Sequence, residues 1–226
     1  MKNFINKVKE TTQIGVQFVK EATGMENTQA DPVFDAAVTH LKAMKKRFNE
    51  FYKNVEELMS IFPSIAENGT KFSNALVHLD QNSGGYCSTT SNSYDLFFKQ
   101  TKSFIEKSVI DPMGPLVLKQ IENVQKTITE LEKVEKEREK LRLLTESERS
   151  KLSSGGVAAR QRFDQYYSQM MQNSRYYVDQ VNMMWAKRYE IIECPLQQFV
   201  GIMYAFLQAE LAGIQALASG LGGQPV

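Results

Sequence analysis

The chain has 226 residues, 42% of them hydrophobic and 23% charged, with a formal net charge of +1. That length supports one domain with a real core or an elongated bundle, and the balanced charge excludes a global field that would steer the protein to nucleic acid. The two cysteines, Cys87 and Cys194, are far apart and fit reduced, cytoplasmic thiols better than a disulfide framework.

Residues 1–24 read as an amphipathic helix. At 100° per residue Met1, Phe4, Ile5, Val8, Val16, Phe18, Val19 and Ala22 share one arc of roughly 160°. Lys2, Lys7, Lys9, Glu10, Gln17, Lys20 and Glu21 fill the other side, and Ile14 is the one apolar residue out of place. The apolar residues are periodic, unlike the continuous core of a secretory signal. Such a segment has nothing local to pack on, so its apolar face must meet the rest of the protein or a membrane interface. Phe4, Ile5, Val8, Val16, Phe18 and Val19 are the insertion candidates. Lys2, Lys7, Lys9 and Lys20 are candidate contacts to anionic lipid.

Residues 22–31 are polar and read as a linker. Asp31-Pro32 then has the form of an N-cap followed by proline in the first turn. Phe34, Val38, Leu41, Met44, Phe48, Phe51 or Tyr52, Val55, Leu58 or Met59, and Phe62 recur at steps of three and four, and the pattern resumes past Pro63 with Ile65, Phe72, Leu76 and Leu79. Residues 81–93, rich in Asn, Ser, Thr and Gly, read as a loop. A second helical run covers residues 94–152, interrupted by Asp111-Pro112-Met113-Gly114-Pro115. Its later part is crowded with Lys, Arg and Glu, and its apolar stripe narrows to that of a two-helix arm. After a turn at residues 153–156, a third run extends to about residue 220, with Phe163, Met170, Tyr177, Met184 and Ile191 at seven-residue intervals. Beyond Pro195 it is apolar over most of its circumference, which predicts burial by several neighbours. No run of 18 uninterrupted apolar residues occurs: Gln208, Glu210 and Gln215 break the nearest one.

The expected fold class is all-α: three long antiparallel helices, each about 75–90 Å if straight. The prolines at 63, 112, 115 and 195 either kink these helices into a curved rod or mark ordinary helix ends. Excess apolarity at one end predicts a homodimer through Phe34, Leu41, Phe48, Phe206, Leu211 and Ile214.

Three stretches resemble the BAR superfamily, in its N-BAR form as in amphiphysins and endophilins. They are Asp31-Pro32-Val33-Phe34 through Lys45-Lys46-Arg47-Phe48, then Asp111-Pro112-Met113-Gly114-Pro115-Leu116, and residues 199–217 with Gln208-Ala209-Glu210. The resemblance implies an amphipathic membrane-binding helix at 1–24, a BAR-like three-helix domain at 25–221 and a short tail at 222–226. It also implies a crescent homodimer that senses or induces curvature in anionic phospholipid membranes, peripherally bound in the cytoplasm as in endocytosis and vesicle trafficking. Lys45, Lys46, Arg47, Lys133, Lys136, Arg138 and Lys140 are then the lipid-binding candidates on the bundle. One departure stands out: residues 126–151 hold eight basic and seven acidic side chains, close to neutral where the family is markedly basic. The alternative is therefore a helical dimer that binds a small GTPase, a coiled-coil partner or another BAR protein, as arfaptin-like members do, with lipid binding secondary. A plain coiled-coil spacer is the third reading.

Nothing in the sequence points to an enzyme, a metal or a cofactor. His40 and His78 lie within helical patterns, and no His, Cys, Asp and Glu cluster has metal spacing. The glycine pairs lack the Lys-Ser/Thr of a phosphate loop. Tyr166, Tyr167, Tyr176 and Tyr177 are spaced for bundle packing and not for base stacking.

Overall fold

The computed structural model describes residues 14, 31–85, 88–153 and 156–220. The described chain is helical apart from short turns: α1 (Pro32–Asn82), α2 (Ser88–Phe104), α3 (Asp111–Met113), α4 (Lys119–Arg149), α5 (Gly156–Ala186) and α6 (Arg188–Gly220). No strand occurs among the described residues. The amphipathic segment, with Phe4, Ile5, Val8, Val16, Phe18, Val19 and its four lysines, lies outside them, as does the tail. Ile14 alone is described there; it is helical and half-buried.

The start of α1 follows the sequence. Asp31 Oδ1 accepts the Phe34 backbone N–H at 3.1 Å, an N-cap bond, and Pro32 opens the first turn. Pro63 does not end this helix, which runs 51 residues to Asn82. Much of the expected loop at 81–93 is helical: α1 runs to Asn82 and α2 begins at Ser88. Gly84 and Gly85 take φ of 85° and 80°, and helix resumes at Ser88. The serines there fold their hydroxyls back onto the helix: Ser93 Oγ donates to the Thr89 carbonyl at 2.8 Å, and buried Ser91 Oγ donates to the Ser88 carbonyl at 3.2 Å. A polar composition is compatible with helix when the hydroxyls are satisfied in this way.

The proline cluster after α2 does not break the rod either. Two π-helical turns, Ile105–Ile110 and Gly114–Leu118, flank α3. The Asp111 N–H reaches the Glu106 carbonyl and the Lys119 N–H reaches that of Gly114, both one residue further back than in an α-helix. The winding explains which side chains are buried here: Ile105, Val109, Met113, Val117 and Ile121, each four residues after the last. On a regular α-helix that spacing would drift about 40° per step, because a turn holds 3.6 residues. Wider turns keep all five on one face. In the third run the helix is interrupted at Lys187 and not at Pro195, which sits inside α6.

The chain divides into two compact units. The first is Met1–Lys46 with Gln125–Arg188. Its core joins Phe34, Leu41 and Met44 of α1, Ile128, Leu131 and Leu144 of α4, and Tyr177 and Val181 of α5. The Phe34 and Tyr177 rings stand 4.8 Å apart. The second unit is Arg47–Val124 with Tyr189–Val226. There Phe48, Val55 and Phe62 of α1 pack with the step-four face and with Ile202 and Phe206 of α6. Phe62 meets Phe206 edge-on at 5.0 Å, and Phe104 lies 6.5 Å from the same ring.

Two glycines let α2 approach its neighbours. A Cβ on Gly69 of α1 would fall inside the Phe98 ring, and one on Gly213 of α6 would come within 2.7 Å of Phe97. The adjacent rings of α2 thus each lie against bare backbone, one on either helix. Gly69→Ala should destabilise the protein by about 1–3 kcal/mol through overpacking. Gly114→Ala, where a Cβ meets nothing within 4 Å, should not destabilise it. Urea denaturation of the two variants checks the contrast.

Candidate membrane and interaction surfaces

The basic residues named from sequence fall into distinct environments. Arg138 is 7% exposed. Its guanidinium lies 4.1 Å over the Phe34 ring, donates to Ser174 Oγ at 3.2 Å and pairs with Asp31 at 3.2 Å. It is buried in the first unit, with its charge and donors taken up by groups of the same chain. Lys45 Nζ meets both Glu132 carboxylate oxygens, at 2.6 and 2.9 Å. Lys46, Arg47, Lys133 and Lys136 are exposed, and Lys140 is half-buried.

Most basic groups along α4 are tied to acids on the same helix. Lys133 pairs with Glu130 at 2.8 Å, Lys140 with Glu137 at 3.5 Å, Arg142 with Glu139 at 2.7 Å and Arg149 with Glu146 at 3.5 Å. Each basic residue lies three positions after its acid. The near-neutral composition is therefore also locally neutral: positive and negative groups interleave along the helix and do not segregate to two sides.

One acid differs from the rest. The Glu148 side chain is 0% exposed and accepts from Lys151 Nζ and Arg162 Nε, each at 2.9 Å. It ties the end of α4 to the start of α5 beside the turn, where Gly156 takes φ of 58°. Burial pushes the Glu148 pKa up, but the bonds from Lys151 and Arg162 outweigh it and hold the carboxyl below its ordinary value. The sequence gives no sign that this glutamate is the buried one, because its neighbours along α4 share the same three-residue spacing to a base.

The residues expected at a dimer interface separate in the same way. Phe34, Leu41, Phe48 and Phe206 are core residues of a single chain, whereas Leu211 and Ile214 are about half exposed. These last two belong to a stripe on α6 with Leu196, Val200, Tyr204 and Leu207, all 44–64% exposed. Within one chain the buried side of α6 is the one that carries Pro195, Ile202 and Phe206. By length and composition alone α6 is also apolar enough to cross a membrane. Near the stripe, Glu210 accepts from Thr101 Oγ1 at 3.2 Å, and burial raises its pKa against that bond.

No family model matches the sequence, and no curated protein matches it. Among solved structures, the chain is similar to the N-terminal I-BAR domain (1-259) of IBARa from D. discoideum, with 14% identity and a TM-score of 0.43 over 85% of this chain and 90% of that one.

The Glu148 clasp has a definite pH signature. A carboxyl whose pKa is depressed by folding stabilises the protein above its unfolded value, about 4.3, and loses that contribution as pH falls through the lower folded value. Glu148→Gln should cost about 2 kcal/mol at pH 7, the scale of hydrogen bonds to a charged group. The gap between parent and variant should close as the pH drops below the ordinary carboxylate range. Denaturation curves of both proteins between pH 7 and pH 2 measure it.

Proposed function

We propose that this chain is a peripheral membrane-binding protein that works as a homodimer and senses or induces membrane curvature. The observation that carries the reading is the apolar stripe on α6. From Val200 through Tyr204, Leu207 and Leu211 to Ile214 the steps are four, three, four and three, the spacing of a coiled-coil seam. The six half-exposed side chains from Leu196 to Ile214 leave about 500 Å² of apolar surface, at the upper end of what monomers expose. A second copy related by a two-fold axis covers such a stripe with its own.

Membrane contact comes from the amphipathic segment, inserted through Phe4, Ile5, Val8, Val16, Phe18 and Val19. Lys2, Lys7, Lys9 and Lys20 on its polar face and the exposed Lys46, Arg47, Lys133 and Lys136 add electrostatic attraction, each about 1 kcal/mol near an anionic surface. The resemblance of three stretches to the BAR superfamily supports the same reading. The ion pairs along α4 favour the second one, a helical scaffold for a protein partner such as a small GTPase, because paired lysines are weak anchors for lipid.

Co-sedimentation with vesicles containing phosphatidylserine distinguishes the two. The first reading expects binding that falls with salt and drops at least tenfold in Phe4→Glu while the dimer persists. Binding equal in parent and variant removes the segment from the mechanism and leaves the scaffold. Independently, Leu211→Glu with Ile214→Glu should convert the dimer to a folded monomer in sedimentation equilibrium at micromolar concentration. A parent chain that is already monomeric there overturns the homodimer.

A further inference from the structure

Over its last turns α4 is buried on two sides. One side belongs to α5: Arg138 donates to Ser174 and Glu148 accepts from Arg162. Leu143 lies five residues from each of them, about 140° around the axis, yet it is only 5% exposed. Ser147, one turn on, is also buried, and Lys140, one turn back, is half-buried. Upstream the same line of the helix is open: Lys126, Thr129, Lys133 and Lys136, at steps of three and four, are all exposed. An unpartnered helix face leaves leucine far more open, as Leu207 and Leu211 of α6 show at 60% and 50%.

Some stretch of chain therefore covers α4 from Lys140 to Ser147. Among the described residues of the first unit, no element is placed to do so. α1 meets α4 at Arg138 through Asp31 and runs toward Glu132, which Lys45 holds, away from the end of α4. α5 lies on the Arg138 and Glu148 side. The turn after α4 begins at Ser150, about 10 Å along the axis beyond Leu143. The first unit also contains residues 1–30.

We propose that residues 1–24 dock against this line of α4, so that in water the arm holds the segment that would otherwise enter lipid. The docking rests on the burial of Leu143 and Ser147; the hand-over to lipid rests on the proposed membrane function. An amphipathic arc needs an apolar surface to cover. Leu143, with Leu144 beside it, supplies one where the same line upstream carries lysine and threonine. Asp31 is pinned to Arg138, about 8 Å along the axis from Leu143. Residues 25–30 span up to about 20 Å when extended, enough to bring the segment back onto the end of α4. Ile14, the one described residue of the segment, is helical and half-buried, so it too has a neighbour. It precedes Phe18 by four residues and lies about 40° outside the apolar arc, so the Ile14 and Phe18 edge is the side that meets α4.

The test reads the covered line directly. A full chain with Cys87→Ser, Cys194→Ser and Leu143→Cys carries one thiol there. Without vesicles, its reaction with a maleimide should be at least tenfold slower than that of the matching Lys136→Cys chain, whose thiol sits on the open part of the line. Adding Ile14→Glu and Phe18→Glu, both outside the arm, should speed the thiol at 143 at least tenfold and leave the one at 136 unchanged. A thiol at 143 that is fast from the start, or slow in both backgrounds, overturns the docking. The hand-over is read separately. Leu143→Gln, which adds no charge, should tighten binding to phosphatidylserine vesicles at least threefold. Unchanged vesicle binding beside the expected thiol rates overturns the hand-over to lipid and upholds the docking.

Discussion

The first unit depends on a cation that has left water. An arginine in a protein interior is tolerable only where its charge and its donors are matched. Arg138 meets that condition with groups drawn from two other helices: the Asp31 carboxylate and Phe34 ring from the start of α1, and the Ser174 hydroxyl from α5. Asp31 at the same time caps α1. Helix initiation and helix packing therefore share one carboxylate, and α1 begins where it does because its first charged residue is anchored to a neighbour. Removing either partner leaves a charge in the core or an open helix end, so the contact fixes the lane α1 takes.

The two units solve the problem of helix association differently. In the first, apolar contacts are narrow and supplemented by polar joins: Lys45 to Glu132, the Tyr177 hydroxyl to Glu135, and Glu148 to Lys151 and Arg162. The Tyr177 phenol is buried beside that glutamate, and both effects push its pKa upward, so it stays a neutral donor. In the second unit the joins are aromatic, with Phe62, Phe104 and Phe206 clustered and Phe97 and Phe98 seated on glycine backbone. Large exposed apolar side chains concentrate there too, along α6 and on Ile61, Ile65, Phe72 and Leu79 of α1. A polar surface suits contacts that form and dissolve, whereas an apolar one suits a contact that persists.

Much of the helical plan was legible because periodicity and capping are local signals. The Asp31-Pro32 start, the passage of α1 through Pro63, the heptad positions of α5 and the turn near residue 155 all rest on residues close in sequence. What stayed hidden depends on distant partners. Arg138 reads like any basic residue on a charged arm until Phe34 and Ser174 are brought beside it. Phe34, Leu41, Phe48 and Phe206 read as surplus apolarity, although their own chain buries them. The residues at 88–93 read as loop because composition does not reveal hydroxyls that bond back to their own helix. The step-four series from Ile105 to Ile121 went unread, because it makes one face only with a winding other than 3.6 residues per turn.

That winding gives the prolines of the second run a role other than as breakers. Between Ile105 and Ile121 an ordinary α-helix would turn the last side chain about 160° away from the first. The two wide turns cancel that rotation, so this stretch of rod acts as a screw with altered pitch. Pro112 and Pro115 cannot donate the bonds that would tighten the coil, and they hold the looser thread in place. A sequence more favourable to helix at those two positions would therefore be a worse sequence for this fold: the better the local helix, the further Ile121 would rotate out of the core it shares with Ile105.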